Sequence, residues 1–368
     1  MGPVFIAFKE TGAPSRKAVV DMNIGIACNH FRVVGGMERH ALALAVAFQE
    51  LGHRVAVICR SFDPELAARV GVIPVRLKSW VPRVWRNTLF SWRTAAAKRR
   101  LGVDFLVGCT RVDSADIAMC GGAHLSFMRR MGRPMRAYDR REVALERRHY
   151  ENARVVSVVS RAMAREVMDD YGLSPGKVHV MPPPTDVGCF YPVPEDERQR
   201  LRAKFGFPDD RVIFLFPSFS HRIKGFDVLA RLFTETRLPA VLVVAGKKVP
   251  AARNIISLGP RADIDDLFRA ADYSILASRY EAFGLVAVES ALCGTPMLAP
   301  GHIGAAEVLD DKALIRFELD DHTSLKAAVG AAVERALSGH GRLEHPRASI
   351  AFDPSPLAHA RQLIDLML

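Results

Sequence analysis

Two glutamates eight positions apart, Glu281 and Glu289, stand in the chemically densest stretch of the chain: Ser278-Arg-Tyr-Glu281-Ala-Phe283-Gly284-Leu285-Val-Ala-Val-Glu289-Ser-Ala-Leu-Cys-Gly294-Thr-Pro296. An apolar run ends near Ala277, so the stretch reads as a strand, a loop carrying Glu281, and a helix from about Gly284. Free amides at such a helix start suit a diphosphate. Gly284 lets a ligand approach the backbone closely. Glu289 falls about a turn and a half into the helix, where a carboxylate can accept hydrogen bonds from both hydroxyls of a ribose. Glu281 can do the same for a sugar hydroxyl. The plain alternative, two surface glutamates favoured by the helix dipole, covers either residue alone but not the whole pattern.

Three further loops carry candidate chemistry. Gly35-Gly36-Met-Glu38 follows an apolar run at 22–28 and opens a helix. Its glycines permit a tight turn and its amides face an anion, although a tight turn alone explains it equally well. Ser218-Phe-Ser-His-Arg222-Ile-Lys224-Gly225 follows a strand-like run at 211–217 and brings two cations together; a solvated basic loop is its plain reading. In Cys120-Gly-Gly-Ala-His124 a histidine follows the run 117–120, in a structural or a catalytic role.

These loops need a scaffold of alternating strands and helices, and the chain supplies one. Residues 22–28 and 54–59 read as strands around a helix at 38–51 that stops at Gly52. Later come strands at 211–217, 240–245, 273–277 and 296–299, with helices at 226–233, 263–271 and 284–293. That alternation predicts an α/β fold with parallel sheets covered by helices. Met181-Pro182-Pro183-Pro184 resists helix and central strand alike and marks the crossover between two domains. The expected division is an N-terminal extension at 1–21, a first domain at 22–184, a second at 185–350, and a terminal helix at 351–368. A chain of 368 residues also exceeds what one core usually holds.

Composition narrows the class. The chain is 49% hydrophobic and 25% charged, as folded soluble proteins are. No unbroken apolar run reaches the ~18–20 residues of a membrane-spanning helix. The amino terminus lacks the basic start and apolar stretch of a signal peptide, and Ile6 occupies the position where an acylation motif needs Ser or Thr. Six scattered cysteines form no CxxC pair, which points away from zinc and disulfides and toward a cytoplasmic location. The net charge of +11 asks for an anionic partner: nucleic acid, an acidic membrane or a phosphorylated substrate.

The stretch bearing Glu281 and Glu289 resembles the E-x7-E signature of the retaining GT-B glycosyltransferases of the large family four, including its flanking Phe-Gly-Leu and Cys-Gly-Thr-Pro. The resemblance covers about residues 22–340. It implies two Rossmann-like domains facing across a cleft, with the nucleotide sugar held mainly by the second domain and the acceptor by the first. By position, Glu289 would bind the ribose and Glu281 the donor sugar, with Phe283, Gly284 and Leu285 lining the donor site. The loop with Gly35 and Gly36 resembles the family's Gly-Gly-x-Glu loop, which touches the donor phosphate or the acceptor. Arg222 and Lys224 resemble the Arg…Lys-Gly pair that neutralises the departing diphosphate, here at a compressed spacing. His124 occupies a place where the family sets a His or Asp near the transferred sugar. Glu307, in Gly304-Ala-Ala-Glu307, resembles a structural turn.

By its Gly-Gly loop, the stretch Tyr138–Tyr150 with Glu146-Arg-Arg-His-Tyr, Met181-Pro-Pro-Pro and the short Arg222…Lys224-Gly loop, the chain most resembles, within the family, the bacterial lipopolysaccharide core glucosyltransferases that act on inner-core heptose. This implies UDP-glucose as donor, transfer of glucose with retention, and a lipopolysaccharide or other lipid-linked acceptor. No Asp-x-Asp motif sits in a suitable loop, so no divalent metal is expected, with Arg222, Lys224 and helix amides in its place. A GT-B nucleotide-sugar epimerase is the rival enzyme. A nucleic-acid-binding protein is the rival of another class, without the basic-plus-aromatic modules that such proteins carry. Closure of the two domains would exclude water from the donor. All three tryptophans, Trp80, Trp85 and Trp92, lie among Lys78, Arg83, Arg86, Arg93, Lys98, Arg99 and Arg100. A second basic run holds Arg129, Arg130, Arg133, Arg136, Arg140 and Arg141. Tryptophan favours the headgroup region and cations favour anionic lipid, so peripheral attachment to the cytoplasmic face of the inner membrane is expected, against a reading of these tryptophans as core.

Overall fold

Short runs of fully buried Ile, Val and Ala give the strands their place. Ile24, Ile26, Val57, Ile58, Leu106 and Val107 are all inaccessible, as expected where helices cover both faces of a parallel sheet. The computed structural model describes residues 21–33, 35–78, 80–250 and 252–368, without the side chain of Arg83. Residues 1–20 of the expected extension, with the leader and acylation readings, fall outside the described residues.

The chain divides into two compact units. One runs to Asp186 and takes in Asp353–Leu368; the other is Val187–Phe352. The first unit carries β1 (Asn23–Phe31), β2 (Arg54–Phe62), β3 (Ile73–Arg76), β4 (Phe105–Gly108), β5 (Ile117–Cys120), β6 (Val155–Val158) and β7 (Val178–Val180). Its helices are α1 (Gly36–Glu50), α2 (Pro64–Val70), α3 (Arg83–Leu101), α4 (His124–Arg130), α5 (Ala137–Asn152) and α6 (Arg161–Tyr171). The strand order is β3-β2-β1-β4-β5-β6-β7, parallel throughout.

The second unit carries β8 (Val212–Ser218), β9 (Ala240–Gly246), β10 (Ile255–Gly259), β11 (Tyr273–Ile275), β12 (Met297–Pro300) and β13 (Leu314–Phe317). Its helices are α7 (Glu195–Phe205), α8 (His221–Lys224), α9 (Phe226–Glu235), α10 (Ile264–Ala270), α11 (Leu285–Leu292) and α12 (His322–Leu337). The order β10-β9-β8-β11-β12-β13, again parallel, repeats the logic of the first sheet. Both sheets are therefore Rossmann-like. Strand order reverses between β1 and β4 and between β8 and β11, and ligands of such sheets bind beyond the carboxyl ends of the strands at that reversal.

The last helix, α13 (Pro356–Asp365), packs on α1 within the first unit. Helix α3 is split by face: Phe90 and Ala97 enter a core with Ala27, Ile58 and Leu106, while Trp85 and Trp92 stand exposed. Among the described residues no helix is long and apolar enough to cross a membrane.

Candidate active site

In the second unit the loops after β8 and β11 meet at the strand-order reversal. The Ala277 amide donates to the Lys224 carbonyl (3.1 Å) and the Arg279 amide to the Ile223 carbonyl (2.8 Å). Gly225, at φ 75°, lies so close that a Cβ there would stand 2.0 Å from the Ala277 carbonyl oxygen. No other residue fits without moving one loop off the other. This contact brings the Lys224 ammonium onto the Glu281 carboxylate, a pair only 22% and 15% exposed.

Arg279 reinforces the junction. Its two terminal nitrogens clamp both oxygens of Asp227 (2.9 and 2.6 Å), and one also donates to the Arg222 carbonyl (2.7 Å). The guanidinium holds the Asp227 carboxyl below its ordinary range. His221 pins the same loop: Nε2 donates to the Lys247 carbonyl (2.8 Å), which leaves Nδ1 to accept from the Ser218 hydroxyl (3.0 Å). The Arg222 side chain is exposed.

Gly284 takes the cap position of α11 at φ 93°, with no side chain capping the helix. The amides at the start of α11 therefore lack a side-chain acceptor of their own. Phe283 is buried beside it, and Leu285 is half-buried in the first turn. Glu289 follows in the second turn and is 3% exposed, so it is a deeply set carboxylate and not a surface glutamate. The turn Gly304–Glu307 supports the loop from behind, since the Ala305 amide donates to the Phe283 carbonyl (2.7 Å). His302 adds a bond to the Ser278 carbonyl (3.0 Å).

In the first unit, Gly35 and Gly36 are exposed and lead into α1, with Glu38 in its first turn. His124 opens α4 and is held at two points by α5. Its Nε2 donates to Asp139 (3.0 Å), whose other oxygen accepts from the Arg136 amide (3.0 Å). That amide, ahead of His124, holds the Asp139 carboxyl below its usual range. The main-chain amide of His124 donates to Glu146 (2.8 Å). Glu146 also accepts from Arg111 (2.9 Å) and from the Tyr171 hydroxyl. Glu146 stands in the stretch Tyr138–Tyr150 that the subgroup resemblance picks out, but nothing local in the sequence marks Asp139, His221 or the Asp227–Arg279 clamp.

The alternative of core tryptophans does not hold: Trp80, Trp85 and Trp92 are 90%, 50% and 71% exposed. In the second basic run, Arg129 pairs with Asp170 (2.5 Å) and Arg130 with Glu166 (2.9 Å), so these two are partly neutralised. Helix α6 puts its carboxylates there.

Comparison with known proteins agrees with this architecture. The family described as Glycosyltransferase Family 4 matches residues 34–188, and Glycosyl transferases group 1 matches residues 210–335. A Burkholderia thailandensis protein described as a probable transglycosylase is 43% identical over 94% of this chain and 96% of its own. The mannosylfructose-phosphate synthase of Agrobacterium fabrum is 32% identical over 42% of this chain and 39% of its own. Among solved structures, WaaG, a glycosyltransferase involved in lipopolysaccharide biosynthesis, superposes with a TM-score of 0.76 at 18% identity, covering 94% of this chain and 99% of that one. HepE of Anabaena, solved with UDP-glucose, superposes at 0.67 and 17% identity over 94% of this chain and 97% of its own. With two doubly wound sheets, both family matches and a full-length relative, the chain belongs to the family-four glycosyltransferases of the GT-B fold.

Proposed function

We propose that this glycosyltransferase moves glucose from UDP-glucose, with retention and without a divalent metal, to a lipopolysaccharide core or similar lipid-linked envelope glycan. In this reading the second unit holds the donor. Glu289 accepts from the ribose hydroxyls, Glu281 meets the sugar, and Phe283, Gly284 and Leu285 line the site at the open start of α11. Arg222 and Lys224 face the diphosphate as its bond to the sugar breaks and negative charge builds on it. The first unit takes the acceptor, with His124 near the transferred sugar and Gly35 and Gly36 at the phosphates or acceptor. The enzyme works on the cytoplasmic face of the inner membrane.

The observation that carries the donor assignment is the Lys224–Glu281 pair beside the uncapped α11 that contains buried Glu289. A cation, a carboxylate and free amides converge at the strand-order reversal, where a nucleoside diphosphate sugar needs all three. The UDP-glucose complex of HepE supports the choice of donor, and WaaG that of acceptor class. The test is donor hydrolysis and thermal shift across a panel of nucleotide sugars. UDP-glucose should be consumed and UDP should stabilise the protein. Stabilisation by GDP or ADP but not UDP would refute the donor.

A further inference from the structure

One cationic cluster of the first unit lies outside every role given above. Strand register sets it out. Cys28, Cys59 and Arg76 form one row across β1, β2 and β3, and His30 and Ser61 form the next row on the same face. Both rows lie at the carboxyl ends of these strands. Arg32, just past β1, reaches back so that its Nη2 donates to the Ser61 hydroxyl oxygen (2.6 Å). His30 Nδ1 shares that hydroxyl (2.8 Å). Arg76 crosses onto β2, its Nε donating to the Arg60 carbonyl next to Ser61 (3.3 Å).

The donor count of this cluster is out of balance. If His30 Nδ1 donates to Ser61, the serine proton is left over. If Nδ1 accepts from Ser61, the Nε2 proton of His30 is left over. Either tautomer leaves a proton to give, beside the Arg32 guanidinium and one residue along β2 from the carbonyl that Arg76 holds. Among the described residues neither Arg32 nor Arg76 forms an ion pair, whereas Arg111, Arg129, Arg130, Arg147 and Arg148 of the same unit all do. The charges facing His30 are Arg32 and Arg60, with Glu38 at the start of α1 opposing them. Burial first, and these arginines next, hold the His30 imidazole below its usual range.

We propose that His30, Arg32, Ser61 and Arg76 form a subsite for a phosphate group, and that the acceptor of this enzyme is phosphorylated. The proposal rests on the reading that the first unit receives the acceptor; the donor diphosphate has its own cations, Arg222 and Lys224, in the other unit. Donors arriving from β1, β2 and β3 suit a tetrahedral oxyanion better than a planar carboxylate, and arginine matches phosphate geometry in a fixed fork. The phosphate can belong to a free sugar phosphate or to a lipid headgroup.

The experiment uses the full chain with saturating UDP present, so that the nucleotide site is filled. Inorganic phosphate is titrated against chloride at constant ionic strength, followed by calorimetry. Wild type should bind phosphate, and Arg32→Ser with Arg76→Ser should weaken it by about tenfold or more, the loss of charge-assisted hydrogen bonds. Both side chains are exposed, so folding should survive, as circular dichroism would verify. Arg222→Ser should leave this phosphate binding intact. Consumption of UDP-glucose with hexose 6-phosphates against the free hexoses, and sedimentation with phosphatidylcholine vesicles with and without phosphatidic acid, separate the two sources. A preference that vanishes in the double variant assigns the source. Phosphate binding that is absent in wild type, or unchanged in the double variant, overturns the subsite. Failure of UDP to bind, or UDP binding indifferent to Glu289→Ala, would instead strike the donor reading and leave the phosphate result standing.

Discussion

Lys224 pairs with Glu281, which fixes where its ammonium stands, and in the proposed donor site it meets the diphosphate there. The charge it faces grows as the leaving group departs, and Lys224→Ala should therefore lower kcat more than it raises donor KM. Steady-state kinetics decide this; a variant impaired only in acceptor affinity would move Lys224 to another role. Glu289 is buried and would bind hydroxyls in ground state and transition state alike. Glu289→Ala should weaken UDP binding and transfer together, by ~2–4 kcal/mol for a charged hydrogen bond lost in a closed site. Calorimetric UDP affinity unchanged in a folded variant would remove Glu289 from the donor site. His124 tests a third residue, Asp139. Because the carboxylate can only accept, it fixes a proton on Nε2. Asp139→Asn can offer its amide N–H instead and turn that tautomer over. The expected result is a fall in kcat of about 10–100-fold at little change in donor KM, with the pH profile displaced. A variant with wild-type kcat would reduce the dyad to a helix-end contact.

At the scale of elements, α13 is held to α1 by a buried histidine pair. His40 Nε2 lies 3.3 Å from His359 Nε2, and His359 also bonds the Pro182 carbonyl. A neutral His359 spends its one N–H on that carbonyl, so its Nε2 accepts from His40; a second proton on His359 sets donor against donor. Burial pulls His359 down to about 4, and His40 falls well below its usual value through burial and then His359. In the unfolded chain both titrate near 6.5. Between about 6.5 and 4 the unfolded chain holds more protons than the folded one. Stability is thus full above that window and falls as pH drops through it, by roughly 3 kcal/mol for His359. Tm followed from pH 7 to 4.5 should fall less steeply in His359→Gln than in wild type; parallel slopes would mean that the pair does not titrate this way. The strands and helices around β1, β8, β9, α9 and α11 were legible because long apolar runs sit between glycines. Strands β3 and β13, four residues each and partly exposed, carry too little pattern to be read. Strand β11 stops at Ile275, short of the expected 277, because the Ala277 amide turns aside to Lys224. The motif residues were legible by type, but Asp227–Arg279 and His124–Asp139 join separate segments, and only the folded sheet brings them together.

For the whole molecule, the +11 charge matters less than how it is distributed. Arg129 and Arg130 are spent on carboxylates of α6. Along α3 and the segment before it the balance differs: Lys78, Arg86 and Arg93 form no ion pair among the described residues, and Trp80, Trp85 and Trp92 project beside them. Trp85 and Trp92 are seven residues apart, two turns of helix, and so share the face opposite Phe90 and Ala97. Arg141 stacks over Trp85 at 4.0 Å, adding a cation to that face. Such a surface has no packing role to explain three open indoles, and it fits a headgroup layer in which indoles settle while cations meet anionic lipid. At about 1 kcal/mol per cation, the arginines and lysine here suffice for reversible attachment at low salt. Sedimentation with liposomes of graded anionic content should show binding that rises with lipid charge and falls with salt. Trp85→Ser with Trp92→Ser should weaken it, and so should Arg86→Ser with Arg93→Ser, while Arg129→Ser with Arg130→Ser should change it little. Binding that ignores lipid charge, or that survives loss of both indoles and both α3 arginines, would dispose of membrane attachment through this helix.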